Sequence, residues 1–173
     1  MAHQLNVLTF PLHGHRLIEA SAGTGKTYTI AALYLRLVIG HGGENGFARP
    51  LTPPEILVVT FTNAATKELR DRIRSRLTEA AAYFRRQGGG DDYLLALRGE
   101  FPEHQWPAKA GQLEQAAQWM DESAIYTIHS WCRRMLGQHA FDSGSLFDLE
   151  LETNERPLLE DAACDYWRNS FYP

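Results

Sequence analysis

Leu17–Leu35 reads Leu-Ile-Glu-Ala-Ser-Ala-Gly-Thr-Gly-Lys-Thr-Tyr-Thr-Ile-Ala-Ala-Leu-Tyr-Leu, and this stretch decides the fold. A short apolar strand (Leu17, Ile18) runs into a loop of small residues that closes on Gly25-Lys26-Thr27, where a helix begins. Strand, small-residue loop and helix in this order form a phosphate-binding arrangement. Ala20, Ser21, Ala22, Gly23, Thr24 and Gly25 let backbone N–H groups curl round a phosphate, and the positive end of the helix points the same way. Lys26 is expected to reach the β- and γ-phosphates of ATP, and the Thr27 hydroxyl to hold Mg²⁺. The spacing is that of G-x-x-x-x-G-K-[ST], with Ala20 in the first glycine position.

Working outward, the helix is expected over about 26–39, with Ile30, Leu33, Leu37 and Val38 as its buried face. Gly40, Gly42 and Gly43 end it, and a connection with three prolines follows. Ile56–Phe61 is a continuous, partly β-branched apolar run. It reads as a parallel strand buried on both faces, so the first 61 residues make a βαβ unit. Asn63 is read as the N-cap of a long helix to about Arg86. That helix carries seven basic residues against three acidic ones in a chain of net charge −4. Such a surplus marks either a face near a polyanion or a solvated helix with i,i+4 ion pairs.

Gly88–Gly90 break the chain, and two further helices are expected near 92–98 and 108–120 as a helical insertion, with Trp106 and Trp119 as core anchors. Ser123–Ile128 reads as another strand. Its end, Thr127-Ile128-His129-Ser130, is placed like Thr60-Phe61-Thr62-Asn63, just past the carboxyl end of a sheet strand where α/β proteins bind ligands. A short strand at 146–151 and a final helix at 155–170, apolar on one side through Leu158, Leu159 and Trp167, complete the reading.

Composition sets bounds. Of 173 residues, 44% are hydrophobic and 22% charged, as in ordinary globular proteins. The net negative charge confines any nucleic-acid contact to a local patch. Cys132 and Cys164 have no metal-ligand spacing and read as reduced thiols. His3, His13 and His15 read as loop histidines. The start lacks a signal-peptide pattern, and the apolar run 30–39 contains Arg36 and is too short to span a bilayer. These features point to the cytoplasm and to no membrane partner.

Three ordered motifs resemble motifs I, Ia and Ib/Ic of UvrD/Rep-type superfamily 1 helicases: Ala20–Thr27, Thr60–Leu69 and Thr127–Ser130. Within that superfamily, Leu17–Thr27 and Met120–His129 look most like the RecB family, the beta subunits of exodeoxyribonuclease V. The resemblance implies a RecA-like α/β sheet, with 1–145 as part of motor domain 1A and 146–173 as the start of domain 1B. It implies ATP and Mg²⁺ as cofactors, RecC and RecD as partner subunits, and DNA ends as substrate in double-strand-break repair. By motif position Thr60, Phe61, Thr62, Asn63, Thr127 and His129 contact single-stranded DNA. Relatives carry Arg after the motif I Thr, packed on adenine; here Tyr28 stands there, able to stack or to sit in the core. Gln4 is the one upstream candidate for reading adenine. A plain UvrD- or AddA-like motor, a small phosphotransferase and a non-enzymatic nucleotide- or DNA-binding accessory domain are the alternatives.

An ATPase of this type also needs an acidic residue ending a buried strand. Met120-Asp121-Glu122 follows a helical pattern, and Leu146-Phe147-Asp148 is too short. The sequence thus holds half an ATPase site and reads as the first part of a longer motor, without the later helicase motifs or a nuclease domain. Purified, the 173-residue chain is expected to hydrolyse little or no ATP, with or without DNA. Substantial DNA-stimulated phosphate release would overturn that expectation.

Overall fold

A computed structural model describes residues 5–21, 23–143 and 154–172. The chain divides into two compact units, Met1–Trp131 and Cys132–Pro173. The expected strand at 146–151 and the 145/146 domain boundary lie outside the described residues.

The first unit is mostly helical. α1 (Lys26–Ile39), α2 (Asn63–Phe84), α3 (Asp92–Gly99) and α4 (Trp106–Gln118) build its core, and α5 (Ile128–Gln138) begins in it. Two short strands, β1 (Val58–Thr60) and β2 (Ile125–Thr127), pair in parallel with Val58 opposite Ile125 and Thr60 opposite Thr127. The helices and the parallel pair follow the reading of the sequence. The first expected strand does not form: Leu17 and Ile18 are irregular and Leu17 is 83% exposed, so among the described residues the sheet has two strands.

The expected burial of 56–61 on both faces is corrected in the same way. Ile56 is buried, but Leu57, Val59 and Phe61, alternate residues on one face, are exposed. α2 packs on β1 and β2. No other described element of this unit covers the second face.

The core of α1 is displaced from the expected stripe. Ala31, Tyr34, Leu35, Val38 and Ile39 are buried, whereas Ile30 is 37% exposed. Both α2 and α4 pack against α1, so the buried face is wider than one stripe and takes in Arg36. α3 and α4 are not a peripheral insertion. Leu94, Leu97, Ala110 and Leu113 are fully buried with Ile73 and Leu77 of α2. Trp106 packs on that core and donates to the Phe101 carbonyl, but Trp119 ends α4 and is 42% exposed. The N-cap of α2 is Thr62, not Asn63: its hydroxyl accepts from the Ala65 N–H at 3.1 Å.

A buried cation fixes the lead-in. Arg36, fully buried, donates through Nη1 to the carbonyls of Val7 (2.6 Å) and Phe10 (2.7 Å), and through Nε to His41 Nδ1 at 2.9 Å. His41 Nε2 then carries the ring proton and donates to Glu100 at 2.6 Å.

In the second unit α6 (Ala140–Ser143) is followed by α7 (Arg156–Phe171). The apolar side expected of α7 forms no core there: Leu158, Leu159 and Trp167 are exposed, and Trp167 stacks on Phe171. Cys132 and Cys164 are exposed free thiols.

Burial pushes the His41 imidazole below its ordinary value, and the Glu100 contact offsets this only in part. Above the unfolded value near ~6.5 both states are neutral. Below it the unfolded chain binds the proton first, so stability falls as pH drops through that value towards the folded one. The Tm is expected to fall between about pH 7 and 5, and His41→Asn to flatten that slope.

Candidate nucleotide and nucleic-acid site

The loop before α1 is built from its own backbone. Gly25, the residue before the helix, has φ 83° and Gly23 has φ 79°, a conformation side-chain-bearing residues rarely adopt. Thr24 Oγ1 donates to the Ser21 carbonyl at 2.8 Å. Lys26 Nζ donates to the carbonyls of Ala20 (3.1 Å) and Ser21 (2.6 Å), so its ammonium stands inside the loop. No side chain caps α1, and no acidic residue lies in its first turn. The first-turn N–H groups therefore have no capping or acidic side chain from α1 itself competing for them. This donor set fits a phosphate chain. Ala22 lies outside the described residues.

Two cavities flank this region. One, of about 400 Å³, is lined by Ile18, Ala20, Ser21, Thr24 and Lys26 among others. The other, of about 440 Å³, takes in Thr27 and Tyr28 with Glu68, Asp71 and Arg76 of α2. Lys26 and Thr27 thus face different spaces, and Thr27 shares one with three carboxylates, Glu68, Asp71 and Glu79. Among the described residues no group of three or more His, Cys, Asp or Glu is arranged to hold a metal.

Tyr28 does not line the cavity of Lys26. Its hydroxyl donates to Asp91 Oδ2 at 3.0 Å, and the Arg76 guanidinium lies 5.2 Å from its ring centre. Burial, then the Asp91 hydrogen bond, hold its phenol above the ordinary value. Burial also pushes the Asp91 carboxyl up, but the Leu94 N–H, Arg76 and Tyr28 outweigh it and hold the carboxyl down.

The other expected contacts sit at the paired strand ends. The register that sets Thr60 opposite Thr127 brings Thr60–Asn63 beside Thr127–His129 at one sheet edge. The two threonine hydroxyls are occupied locally. Thr60 Oγ1 lies 2.6 Å from Thr66 Oγ1, and the buried Thr127 accepts from the Ser130 N–H at 3.2 Å. Phe61 (86% exposed), Thr62, Asn63 and His129 face solvent.

The basic helix resolves as mainly paired within the chain. Arg72 pairs with Glu68, Arg74 with Asp121, Arg76 with Glu79 and Asp91, Arg85 with Glu114, and Arg86 with Glu103. Arg70 donates to Ser123 and to the Ile125 carbonyl. The local surplus is balanced by acids from outside the helix, which a count along the sequence misses. That count also missed Arg36, Arg76 and Asp91 as organising residues. The one signal for Arg36 was a cation inside an apolar run.

A glycine-bearing loop closing on Gly25-Lys26-Thr27 at a helix start, in a chain with a parallel strand pair, is the pattern of a P-loop protein. The family description of the UvrD/REP helicase N-terminal domain matches residues 1–169, and the chain belongs to that family. It is similar to the protein described as RecBCD enzyme subunit RecB in several bacteria. That of Escherichia coli (strain K12) is 49% identical over 180 residues, 100% of this chain and 14% of that protein. That of Haemophilus influenzae (strain ATCC 51907 / DSM 11121 / KW20 / Rd) is 49% identical over 177 residues, 98% and 14% of the two chains. That of Buchnera aphidicola subsp. Acyrthosiphon pisum (strain APS) is 39% identical over 172 residues, 99% and 14%. The resemblance to the RecB family read from the motifs is borne out. The chain spans about one-seventh of the length of the curated relatives it matches.

Gly25→Ala places a Cβ in the left-handed region and is expected to cost about 1–2 kcal/mol, measured by urea unfolding.

Proposed function

We propose that this chain is the ATP- and single-stranded-DNA-binding amino-terminal part of a RecB-like DNA helicase/exonuclease subunit. The whole protein acts in the cytoplasm with RecC and RecD on DNA ends, in double-strand-break repair and recombination. Residues 1–145 belong to motor domain 1A, a RecA-like sheet with flanking helices, and 146–173 open domain 1B. The observation that carries this is the uncapped helix start behind the Gly23–Gly25 loop, with the Lys26 ammonium already among the loop carbonyls. The 49% identity to RecB over the full chain supports the particular family.

The residues have distinct tasks. Backbone N–H groups of Ser21–Thr27 bind the phosphates, Lys26 leaves the carbonyls of Ala20 and Ser21 to neutralise them, and the Thr27 hydroxyl holds Mg²⁺. ATP hydrolysis supplies the free energy of movement along DNA, but its acidic residues belong to parts of the motor beyond this chain's motifs. Phe61 offers a ring to a DNA base, and Thr62, Asn63 and His129 offer hydrogen bonds to phosphates. Thr60 and Thr127 support these contacts by shaping the two strand ends. Among the described residues no helix is long and apolar enough to cross a membrane.

The test is a titration with Mg-ATP and, separately, a labelled oligothymidine. Mg-ATP is expected to bind and to be lost in Lys26→Ala. Phe61→Ala is expected to weaken oligothymidine binding by about 5- to 100-fold, the equivalent of one lost base stack. Absence of nucleotide binding, with Lys26→Ala unchanged, favours a non-enzymatic accessory domain instead.

A further inference from the structure

The first turn of α1 carries Lys26 and Thr27 yet has nothing of its own to hold it. Gly25 offers no capping side chain, and the buried residues of α1 begin only at Ala31. A helix start of this kind frays unless a tertiary contact ties it down. Tyr28 supplies that contact. Its hydroxyl donates to Asp91 Oδ2 (3.0 Å) and accepts from Arg76 Nη2 (3.4 Å).

The far side of the contact is itself fixed. Arg76 is 8% exposed and holds both Asp91 oxygens, at 2.9 and 2.7 Å, and Glu79 at 2.8 Å. Asp91 caps α3 by accepting from the Leu94 N–H at 2.9 Å. Tyr93, edge-on to Tyr28, donates to the Ala32 carbonyl of α1 at 2.8 Å. The network therefore leaves α1 at Tyr28, passes through α2 and α3, and returns to α1 one turn later.

We propose that Tyr28 is a positioning residue: through Asp91 and Arg76 it locks the first turn of α1, and so holds Lys26 and Thr27 in register for phosphate. This rests on the reading of the loop as a nucleotide site. It gives Tyr28 a task different from packing on adenine. The ring and hydroxyl are committed to α2 and α3, and they line the cavity of Thr27 rather than that of Lys26. A lock of the first turn acts on every ligand that uses the phosphate cradle. A base contact acts only on ligands that have a base.

The experiment compares Mg-ATP with magnesium tripolyphosphate, which has the phosphates and no base. Wild type, Tyr28→Phe, Tyr28→Ala, Asp91→Asn and the Tyr28→Phe/Asp91→Asn pair are titrated by calorimetry well below each variant's melting temperature. Tyr28→Phe is expected to weaken both ligands by the same factor, about 3- to 10-fold. The double variant is expected to be no weaker than Asp91→Asn alone, because the Tyr28 hydroxyl acts through Asp91 and the Arg76 guanidinium that Asp91 holds. Equal binding by Tyr28→Phe and wild type overturns the proposal and leaves only a role in stability. Loss of Mg-ATP affinity in Tyr28→Ala with tripolyphosphate spared overturns it in favour of a base contact. If wild type binds neither ligand, the nucleotide reading itself fails and the proposal falls with it.

Discussion

The Arg36 side chain is fully buried, and distant parts of the first unit supply acceptors to its Nε and Nη1, while Nη2 is buried without a partner. A cation removed from water is tolerable only when oxygen and nitrogen acceptors surround it. Here they come from three places: the carbonyls of Val7 and Phe10, and the His41 ring, itself held by Glu100. The lead-in is thereby pinned against the second half of α1, and Leu12 adds a backbone bond to Asn45. The lead-in is thus fixed as far as Leu12, and residues 13–19, which run on to the loop, are exposed. α1 is tied near its carboxyl end through Arg36 and at its first turn through Tyr28, both times by groups from distant parts of the chain.

α2 is the spine against which the other parts are registered. Its start is set by the Thr62 cap at the end of β1. Arg70 reaches the Ile125 carbonyl, which ties the helix to β2. Further along, Arg74 meets Asp121, Arg76 meets Asp91 and Arg85 meets Glu114, each acid coming from a different later segment. The exposed pairs among these, Arg74–Asp121 and Arg85–Glu114, contribute little stability singly. The common effect of all three pairs is orientation, since one helix receives partners from the connection before α3, from α4 and from the segment before β2. Their charges are then mutually neutralised, and of the two readings of this basic helix, a face near a polyanion or an ion-paired one, the pairing prevails and makes it mostly internal bracing.

Much of this was legible in the sequence, and the part that was not has a physical cause. α1 and α2 announce themselves by apolar periodicity, and the loop by its small residues and Gly-Lys-Thr ending. The equivalent placement of Thr60–Asn63 and Thr127–Ser130 was read from the two expected strands they follow and from residue type, and the parallel register, Thr60 opposite Thr127, bears out that placement. The misses are tertiary. Which side of α1 is buried depends on α4, 70 residues away in the Lys109–Ile39 contact. Periodicity within one helix carries no record of that. Leu17–Ile18 and the exposed alternation Leu57, Val59, Phe61 have strand composition, but a strand forms only where a neighbour pairs its backbone, and it is buried on both faces only where a layer covers each. The sequence records what a segment is suited to pack against. The structure records what packs against it among these residues.

That distinction bears on the strand ends. Thr60 and Thr127 have the residue type for binding phosphate, yet their hydroxyls close local turns and Thr127 is buried. A hydroxyl committed to a helix start cannot also be the main anchor for a ligand without unmaking that start. Under the proposed reading the contact therefore falls to the groups that remain exposed and uncommitted, above all the Phe61 ring and His129, with Asn63 beside them, while the Thr62 hydroxyl stays with the α2 start. Ring stacking holds any base in much the same way, because every base presents a π face. Backbone phosphate contacts are equally indifferent to sequence. A surface of this composition is suited to a protein that must hold each successive nucleotide of a strand and release it. It is poorly suited to one that must stop at a particular site.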